Sequence, residues 1–497
     1  MQHPLEQNTP SSRLGLKVLL DTGCASIPRR RGNSKCANFQ SKGFAIGDAF
    51  PTIEAQPLSP GQTVIIVGLG IAGLTAAIEC HRKGMRVVGL EKKPDINLLG
   101  DIIGLSGNSV RILAAWKDSD TLNELITEDI TCDVSALELL DTEGTRRFAM
   151  PYNPQNPIQG HLFRRTGLVN MLYQYARQLG IDLRFGVPVD GYWENKDEAG
   201  VYVNNDKITG HCVVAADGSH SKARVIITGE NPPPDDTGVI AYRAIFDAHE
   251  IADVPEAQWL LEQSPGRDVF QMFYGKDTMV AMGTAASGRY IHWGCALRGM
   301  LTEMTEAWMQ PASPEVVLKS LQDWPAGRKL SAIVASTPPG RCFNQSLINR
   351  PPLSRWVSNG GRMVVIGDAA HSFLPYAGQG GNQGIEDAAV LAICLERSGE
   401  DVPLALRAME NIRHHRVSLI QKGSAEAGDS FLNAAWESSA TDRPTAYLHQ
   451  AWVYTHDCVK HAHEEYHKAA DAVKNGREYI PTNIPADGKF CQNDNEG

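Results

Sequence analysis

Residues Gly361 to Ala389 read GRMVVIGDAAHSFLPYAGQGGNQGIEDAA, and they hold the chain's densest set of groups able to do chemistry. Met363-Val364-Val365-Ile366 is an unbroken apolar run, the pattern of a buried strand. The run ends at Gly367-Asp368, passes Pro375, and reaches Gly378-Gln379-Gly380-Gly381-Asn382 before a helix that carries Glu386 and Asp387 in an early turn. A carboxylate at a strand tip, followed by small residues, lets the backbone approach a flat ligand closely. The amides that open the next helix hold negative charge. A flavin reduced to an anion needs both features.

A second site of the same logic lies earlier. Thr63-Val64-Ile65-Ile66-Val67 is a β-branched strand that runs into Gly68-Leu69-Gly70-Ile71-Ala72-Gly73. A helical stretch follows from Leu74 to Lys83, then a second strand from Met85 to Leu90, with Glu91 at its end. The acid stands 23 residues after the first glycine, the spacing of a dinucleotide-binding unit. Gly68 makes the turn, Gly70 admits a pyrophosphate, Gly73 lets helix and strand pack closely, and Glu91 bonds ribose hydroxyls. An acid there favours FAD or NAD over a 2′-phosphate. Val213-Val214-Ala215-Ala216 is a third apolar strand, ending in Asp217-Gly218 and the polar stretch Ser219 to Arg224. Alone, Asp-Gly reads as a turn.

Together the three stretches VIIVGLGIAGLTAA, ADGSHSKAR and GDAAHSFLPYAGQGGNQGIEDA resemble the FAD-dependent aromatic hydroxylases, the class A flavoprotein monooxygenases of the para-hydroxybenzoate and salicylate hydroxylase type, over residues 62 to 420. Gly107 to Leu113 and Ala451 to Asp457 are similar to the salicylate hydroxylase-like branch of fungal natural-product pathways. The resemblance implies FAD held by Gly68, Gly70, Gly73, Glu91, Gly104, Arg111, Arg165, Asp217, Gly218, Asp368, Gly380, Gly381 and Asn382, with Arg164 beside Arg165 as the alternative phosphate contact. The family often has alanine where this chain has Gly381, 13 residues after Asp368, so a looser loop is expected. The resemblance further implies NADPH or NADH as electron donor, molecular oxygen, and a flavin hydroperoxide attacked by an electron-rich aromatic carbon. Epoxidation of a prenylated or polyketide intermediate and a non-catalytic FAD scaffold are the alternatives. No metal centre is expected, and no G-x-S-x-G elbow occurs, so the cofactor carries the chemistry.

The substrate side falls to residues 236–345. Val239 to Phe246 alternates like a sheet strand, and Arg243 matches the branch's substrate-orienting arginine, with Tyr242 as a substitute. A guanidinium there pairs with a carboxylate or phenolate and lowers its pKa. Val269 to Lys276 and Tyr290 to Trp293 are two further strands. Tyr274 is a candidate phenol partner, His292 a structural histidine, and His371 is given no catalytic role.

These sites require an α/β architecture: a Rossmann-type, GR2-like FAD-binding domain with an inserted mixed β-sheet substrate domain and a C-terminal helical region. The expected boundaries are a leader at 1–60, FAD-binding segments at 61–235 and 346–400, the sheet at 236–345, helices at 401–480 and a flexible tail at 481–497. The leader has a basic run Arg29-Arg30-Arg31, but Glu6, Asp21 and Asp48 break the acid-poor character of a transit peptide. A cytoplasmic location is expected, with targeting by the leader left open. With 497 residues, several cores are needed. A net charge of −10 argues against nucleic acid or an anionic membrane as partner, and no apolar run reaches membrane-spanning length. Ten cysteines scattered without a CxxC pair read as reduced thiols. Oligomeric state is not legible.

Overall fold

In a computed structural model of the protein, the β-branched run Thr63–Val67 is the middle strand of a five-stranded parallel sheet. Its order is Met363–Val365, Cys212–Ala215, Thr63–Val67, Arg86–Glu91, Asp182–Phe185. The structure describes residues 61–96, 100–116, 127, 129–151, 160–230, 232–263, 266–299, 310–433 and 450–492; the expected leader therefore lies outside the described residues. The central strands are apolar on both sides because both faces are covered, by the helix Ile71–Arg82 and by the three-stranded antiparallel sheet of Gly191–Glu194, Ala199–Val203 and Asp206–Gly210. Val64, Ile65, Ile66, Val213, Val214, Val364 and Val365 are fully buried. The helices Ile71–Arg82 and Gly380–Ser398 pack on each other, and Val402–Asn433 packs on the latter.

Register decides what this sheet presents. Val67 stands opposite Ala215, and Ala215 opposite Val365, so three neighbouring strands end level. The glycine turn, the Asp-Gly turn and the Gly-Asp turn leave from one edge although they are nearly 300 residues apart in the chain.

A second, eight-stranded sheet is mixed. Its one parallel pairing joins Asp268–Gly275 to Val134–Leu140; the other pairs are antiparallel. The strands expected near 239–246, 269–276 and 290–293 are present as Asp235–Asp247, Asp268–Gly275 and Tyr290–Arg298. The sheet also takes in Val134–Leu140 and Arg146–Pro151, which precede the 236–345 span, and Cys342–Asn349, which runs past its end. Alternation within Val269 to Lys276 gave no sign of pairing with a strand some 130 residues earlier.

The tail departs from expectation. Phe490 is buried, the Trp452 indole donates to its carbonyl at 2.8 Å, and its ring fills the space beside Gly423. Part of the span read as flexible is thus packed onto the long helix; residues 493–497 lie outside the described set. Cys24 and Cys36 also lie outside it. The other eight cysteines are free thiols, all buried except the half-buried Cys491.

Candidate functional site

The turn after the first strand is built by its glycines. Gly68 sits at φ +92°, and a Cβ there would lie 2.5 Å from the Ala216 carbonyl oxygen. Gly73 faces Gly68 so closely that a Cβ would stand 1.9 Å from the Gly68 oxygen. Gly70 is the opposite case: a Cβ there would meet nothing within 4 Å, so the surface beside its backbone is open. The helix that Gly70 caps has no side-chain cap, which leaves its first amides for a ligand. Glu91 accepts from the Leu69 amide at 3.0 Å and from the Lys93 amide at 2.9 Å. It braces the turn and remains half-buried at the edge of the opening.

Asp217 lies behind that turn. Its Oδ1 is buried with no hydrogen-bond partner among the described residues, and burial raises its pKa. Gly218 follows at φ +88°. Arg224, whose role was not foreseen, joins two strand tips. Its guanidinium donates to the carbonyls of Ala369 (2.8 Å), Asp368 (3.0 Å) and Ser219 (3.2 Å), and burial lowers its pKa to about 10.

Asp368 is walled in by protein yet its carboxylate stays accessible, as do Pro375 and Gly378 in a loop that is otherwise mostly buried. Accessible groups along the floor of an enclosed loop mark a cleft rather than a convex surface. Enclosure pushes the Asp368 carboxyl above the usual carboxylate range, opposed by the charges of His371, Arg165 and Arg224. Arg165 is the arginine on the Asp368 side. Burial lowers its pKa, while Asp368 and Asp101 pull it back up. Arg164 points the other way, donating to the Asp129 carbonyl at 2.7 Å and stacking its guanidinium 4.0 Å above the Tyr290 ring. The geometry thus separates the two neighbours.

Several expected ligands also make contacts within the frame. The Asn382 side chain is fully buried and spent: Nδ2 donates to the carbonyls of Gly104 (3.0 Å) and Gly378 (2.7 Å), and Oδ1 accepts from the Ser106 amide (2.9 Å) and the Ser109 hydroxyl. It stitches the strand Ile102–Leu105 to the glycine loop and offers no side-chain atom to a ring. Gly104 takes part through its carbonyl. A Cβ at Gly381 would lie 2.9 Å from the end of Ile103 and 3.9 Å from that of Ile71, and one at Gly380 would lie 3.3 Å from Phe373 Cβ. Arg111 is held by the Gly107 carbonyl and by Asp457 at 3.5 Å.

The substrate-side candidates separate by strand alternation. Tyr242 joins Ile240, Ala244 and Phe246 in an apolar core on the sheet face away from the loop. It is therefore a packing residue, and Tyr242→Phe is expected to leave turnover within about twofold of wild type, checked by steady-state assay. Tyr274 is fully buried, stacked on Phe431 at 5.3 Å, and burial raises its pKa, so it too is core. Arg243 lies on the opposite face, 3.5 Å from Asp101. The same face carries Val239, Ala241, Ala296 and Leu347, packed with Leu374 of the glycine loop and with Tyr376. Tyr376 was not foreseen. Its hydroxyl is buried without a partner among the described residues, and burial pushes its pKa to about 12. His292 is buried with its pKa lowered to about 4, but its Nε2 has no partner among the described residues, so it is not the satisfied histidine expected.

Beneath the loop lies a buried ionic cluster. Arg413 donates to Asp387 Oδ1 at 2.9 Å, to Glu386 Oε2, and to Gln383 Oε1 at 2.7 Å. Arg416 donates to Glu386 at 3.2 Å and to the carbonyls of Trp452 (3.0 Å) and Val453 (2.9 Å). Asp387 Oδ2 accepts from the Gly367 amide at 3.0 Å and meets His371 Nε2 at 2.5 Å. Burial alone would raise both carboxyls. The opposing charges outweigh it and hold both below the usual range: Arg416 and Arg413 for Glu386, His371 and Arg413 for Asp387. The signal was present in the sequence: two arginines three residues apart, set among Ile412, Val417 and Ile420, fall on the apolar face of one helix.

His463-Glu464-Glu465-Tyr466-His467, on the helix Cys458–Lys474, has the spacing of a zinc-binding helix that the motif reading passed over. His463 contacts Arg397 at 3.2 Å, and no group of three or more His, Cys, Asp or Glu side chains among the described residues could hold a metal.

The cradle fits an FAD: an open glycine turn, a partnerless buried carboxylate oxygen, an accessible Asp368 beside Arg165, and an uncapped helix start at Gly380. Comparison with known proteins agrees. Residues 62–420 match the FAD binding domain family. The chain is 72% identical to notoamide E oxidase notB' of Aspergillus versicolor over 438 residues, 88% of this chain and 96% of that protein. It is 44% identical to the FAD-dependent monooxygenase notI of Aspergillus sp. (strain MF297-2) over 432 residues, 87% and 98% of the two chains. CtdE, solved in complex with FAD and a substrate, superposes with a TM-score of 0.79 at 38% identity, covering 83% of this chain and all of that one. A salicylate hydroxylase substrate complex shares the fold, with a TM-score of 0.67 at 22% identity over 83% of this chain and 98% of that one. Among the described residues no helix is long and apolar enough to cross a membrane.

Proposed function

This chain belongs to the FAD binding domain family and is an FAD-dependent monooxygenase of the fungal natural-product kind; on that premise we propose that it uses NADPH or NADH and molecular oxygen to oxidise an electron-rich aromatic centre of notoamide E or a close analogue. The observation that carries the reading is the level convergence of three neighbouring strand tips on one cleft with an accessible Asp368.

Each residue has a task in it. The amides around Gly70 and the Arg165 guanidinium hold the dinucleotide's phosphates, and Glu91 and Asp368 bond its sugar hydroxyls. The bound flavin supplies the activation of oxygen. Val239, Ala241, Leu347 and Leu374 form a buried apolar cluster on the sheet face that carries Arg243, and exclude water from that side of the site. The Tyr376 hydroxyl, without a protein partner, bonds a polar atom of the substrate. Arg243, two residues beyond Ala241 on the same face, orients an anionic or phenolic edge. A cytoplasmic location, where reduced dinucleotide is available, belongs to this reading.

The test is a yellow purified protein that consumes NADPH or NADH only when the substrate is present and places labelled oxygen in the product. Arg243→Ala is expected to cut turnover at least about tenfold while flavin content stays normal, since one charge-assisted hydrogen bond is lost. Loss of flavin in that variant, read from the visible spectrum, would refute its assignment. Rapid dinucleotide oxidation without any organic substrate would refute the monooxygenase coupling.

A further inference from the structure

The large sheet carries four glycines inside its strands, and the protein around them explains three. Gly238 sits at φ +66°. A Cβ at Gly275 would lie 2.5 Å from the Trp324 ring, and one at Gly283 would lie 1.9 Å from the Val269 carbonyl oxygen. Gly294 has no such reason. Its backbone is outside the left-handed region, and a Cβ there would meet only the Tyr242 carbonyl oxygen, at 3.7 Å, among the described residues. Glycine weakens a strand interior, and a strand glycine that no packing requires marks a surface that a ligand approaches closely. We propose that Gly294 sets how large a ring system the oxidised substrate carries, by leaving the floor of its seat bare. This deepens the aromatic-substrate reading above and rests on it.

Strand register lays out the floor. Gly294 stands opposite Arg243 on one side and Ala281 on the other, and Ala281 stands opposite Met272. Residues paired across strands share a face. Between the Arg243 strand and the Met272 strand, about 14 Å of sheet, nothing larger than one methyl group therefore rises. Gly294 and Ala281 are both half-buried, while their chain neighbours Trp293, Cys295, Val280 and Met282 are buried in the core of the other face. The accessible face is the one that carries Arg243.

The two borders of this strip differ. On one side the next row is Ala241, Ala296 and Met279, packed with Leu374 of the glycine loop, so the floor ends there against protein. On the other side the next row is Ile245, His292 and Gly283. The His292 ring leans over Gly283, with Nε2 2.8 Å from where a Cβ would stand. His292 is only 4% exposed, and this nitrogen has no partner among the described residues. A bare strip with a guanidinium at one end and an unspent imidazole nitrogen along one border suits a flat, fused-ring molecule. Such a molecule lies face down on the backbone and carries polar atoms at its rim. A single phenol ring would leave part of the strip uncovered.

A side chain at Gly294 would enter that space without straining the chain. Gly294→Ala, Gly294→Val and Gly294→Leu are therefore expected to purify with normal flavin content and a melting temperature no lower than that of wild type. In the holoenzyme, the shift of the flavin spectrum on titration gives the Kd for notoamide E. That Kd is expected to rise with side-chain volume, about threefold for alanine and at least about thirtyfold for leucine. A Kd that stays at the wild-type value through leucine overturns the proposal. A melting temperature that falls along the series overturns it too, because protein then already fills the space. Loss of flavin would assign the space to the cofactor, with the same consequence. If the wild type gives no spectral change with notoamide E, the substrate reading itself fails, and the size limit with it.

Discussion

Arg413→Met is expected to cost about 3–5 kcal/mol of folding stability and to release flavin at temperatures where the wild-type protein stays yellow. The guanidinium is fully buried and holds Asp387 and Glu386 together beneath the loop. Removing one member of such a cluster leaves charge in the interior without compensation, which is far worse than never having built the cluster. The route to the flavin is direct. Asp387 also holds the Gly367 amide and His371, so a loosened Asp387 frees the turn that aims Asp368. A thermal melt followed in parallel by circular dichroism and flavin fluorescence reads both effects.

The pH dependence has a definite sign. In the wild type both carboxyls lie below their ordinary values, so the stability they contribute is full above the unfolded carboxyl range and is lost as pH falls through the lower folded values. Without Arg413, Glu386 and Asp387 lose one of the charges that hold them low, so their folded pKa values rise toward the unfolded ones. The variant then has less of this stability to lose on acidification. The stability gap between the two proteins should narrow as pH falls below about 4, through the carboxyl range. A gap that is constant or widens over that interval would show that Arg413 acts by packing alone.

The second large effect is expected from Gly73→Ala. A Cβ at this position would stand 1.9 Å from the Gly68 carbonyl oxygen, while contacts below 3.0 Å essentially never occur. The turn must therefore open by about 1 Å. The obstacle is backbone, so no side chain can rotate away to make room. The amides beside Gly70 then lose their aim at the pyrophosphate. We expect FAD affinity to fall by a factor on the order of 100, equivalent to roughly 2.7 kcal/mol. The protein should purify largely colourless but folded, because the five-stranded sheet and its core do not depend on that contact. Reconstitution with excess FAD and titration by flavin fluorescence check it. Normal flavin content would mean that the strand-tip cradle is not where the cofactor binds. Gly70→Ala separates the two causes: a Cβ there meets no protein atom, so it leaves the turn intact and obstructs only the pyrophosphate that approaches Gly70.

Local sequence was enough to find the strand-and-turn elements of the candidate cradle. Gly68, Gly70, Gly73 and Glu91 could be placed because a glycine turn between a strand and a helix is dictated by nearest-neighbour conformational and steric needs. Asp217 and Asp368 followed for the same reason, as the ends of apolar runs. What local pattern could not show was orientation. Arg164 and Arg165 are adjacent in sequence, yet one braces Asp129 and the other faces Asp368. Tyr242 and Arg243 are adjacent too, and strand alternation sends the tyrosine into the core and the arginine to the cleft side. Asn382 was expected among the FAD ligands, and its side chain is committed to the strand Ile102–Leu105 and the glycine loop.

The sequence by itself determined the fold class, the cofactor and the chemistry that the cofactor brings, because these depend on short-range features: runs of apolar residues, glycines where a side chain cannot fit, and an acid at a fixed spacing. Only the tertiary structure decided which side chains meet. Level register brings three distant turns to one edge, and the cluster of Glu386, Asp387, Arg413 and Arg416 exists because two helices bury facing charges that neither could satisfy alone. Such partnerships are set by long-range packing, which the spacing along one chain does not encode.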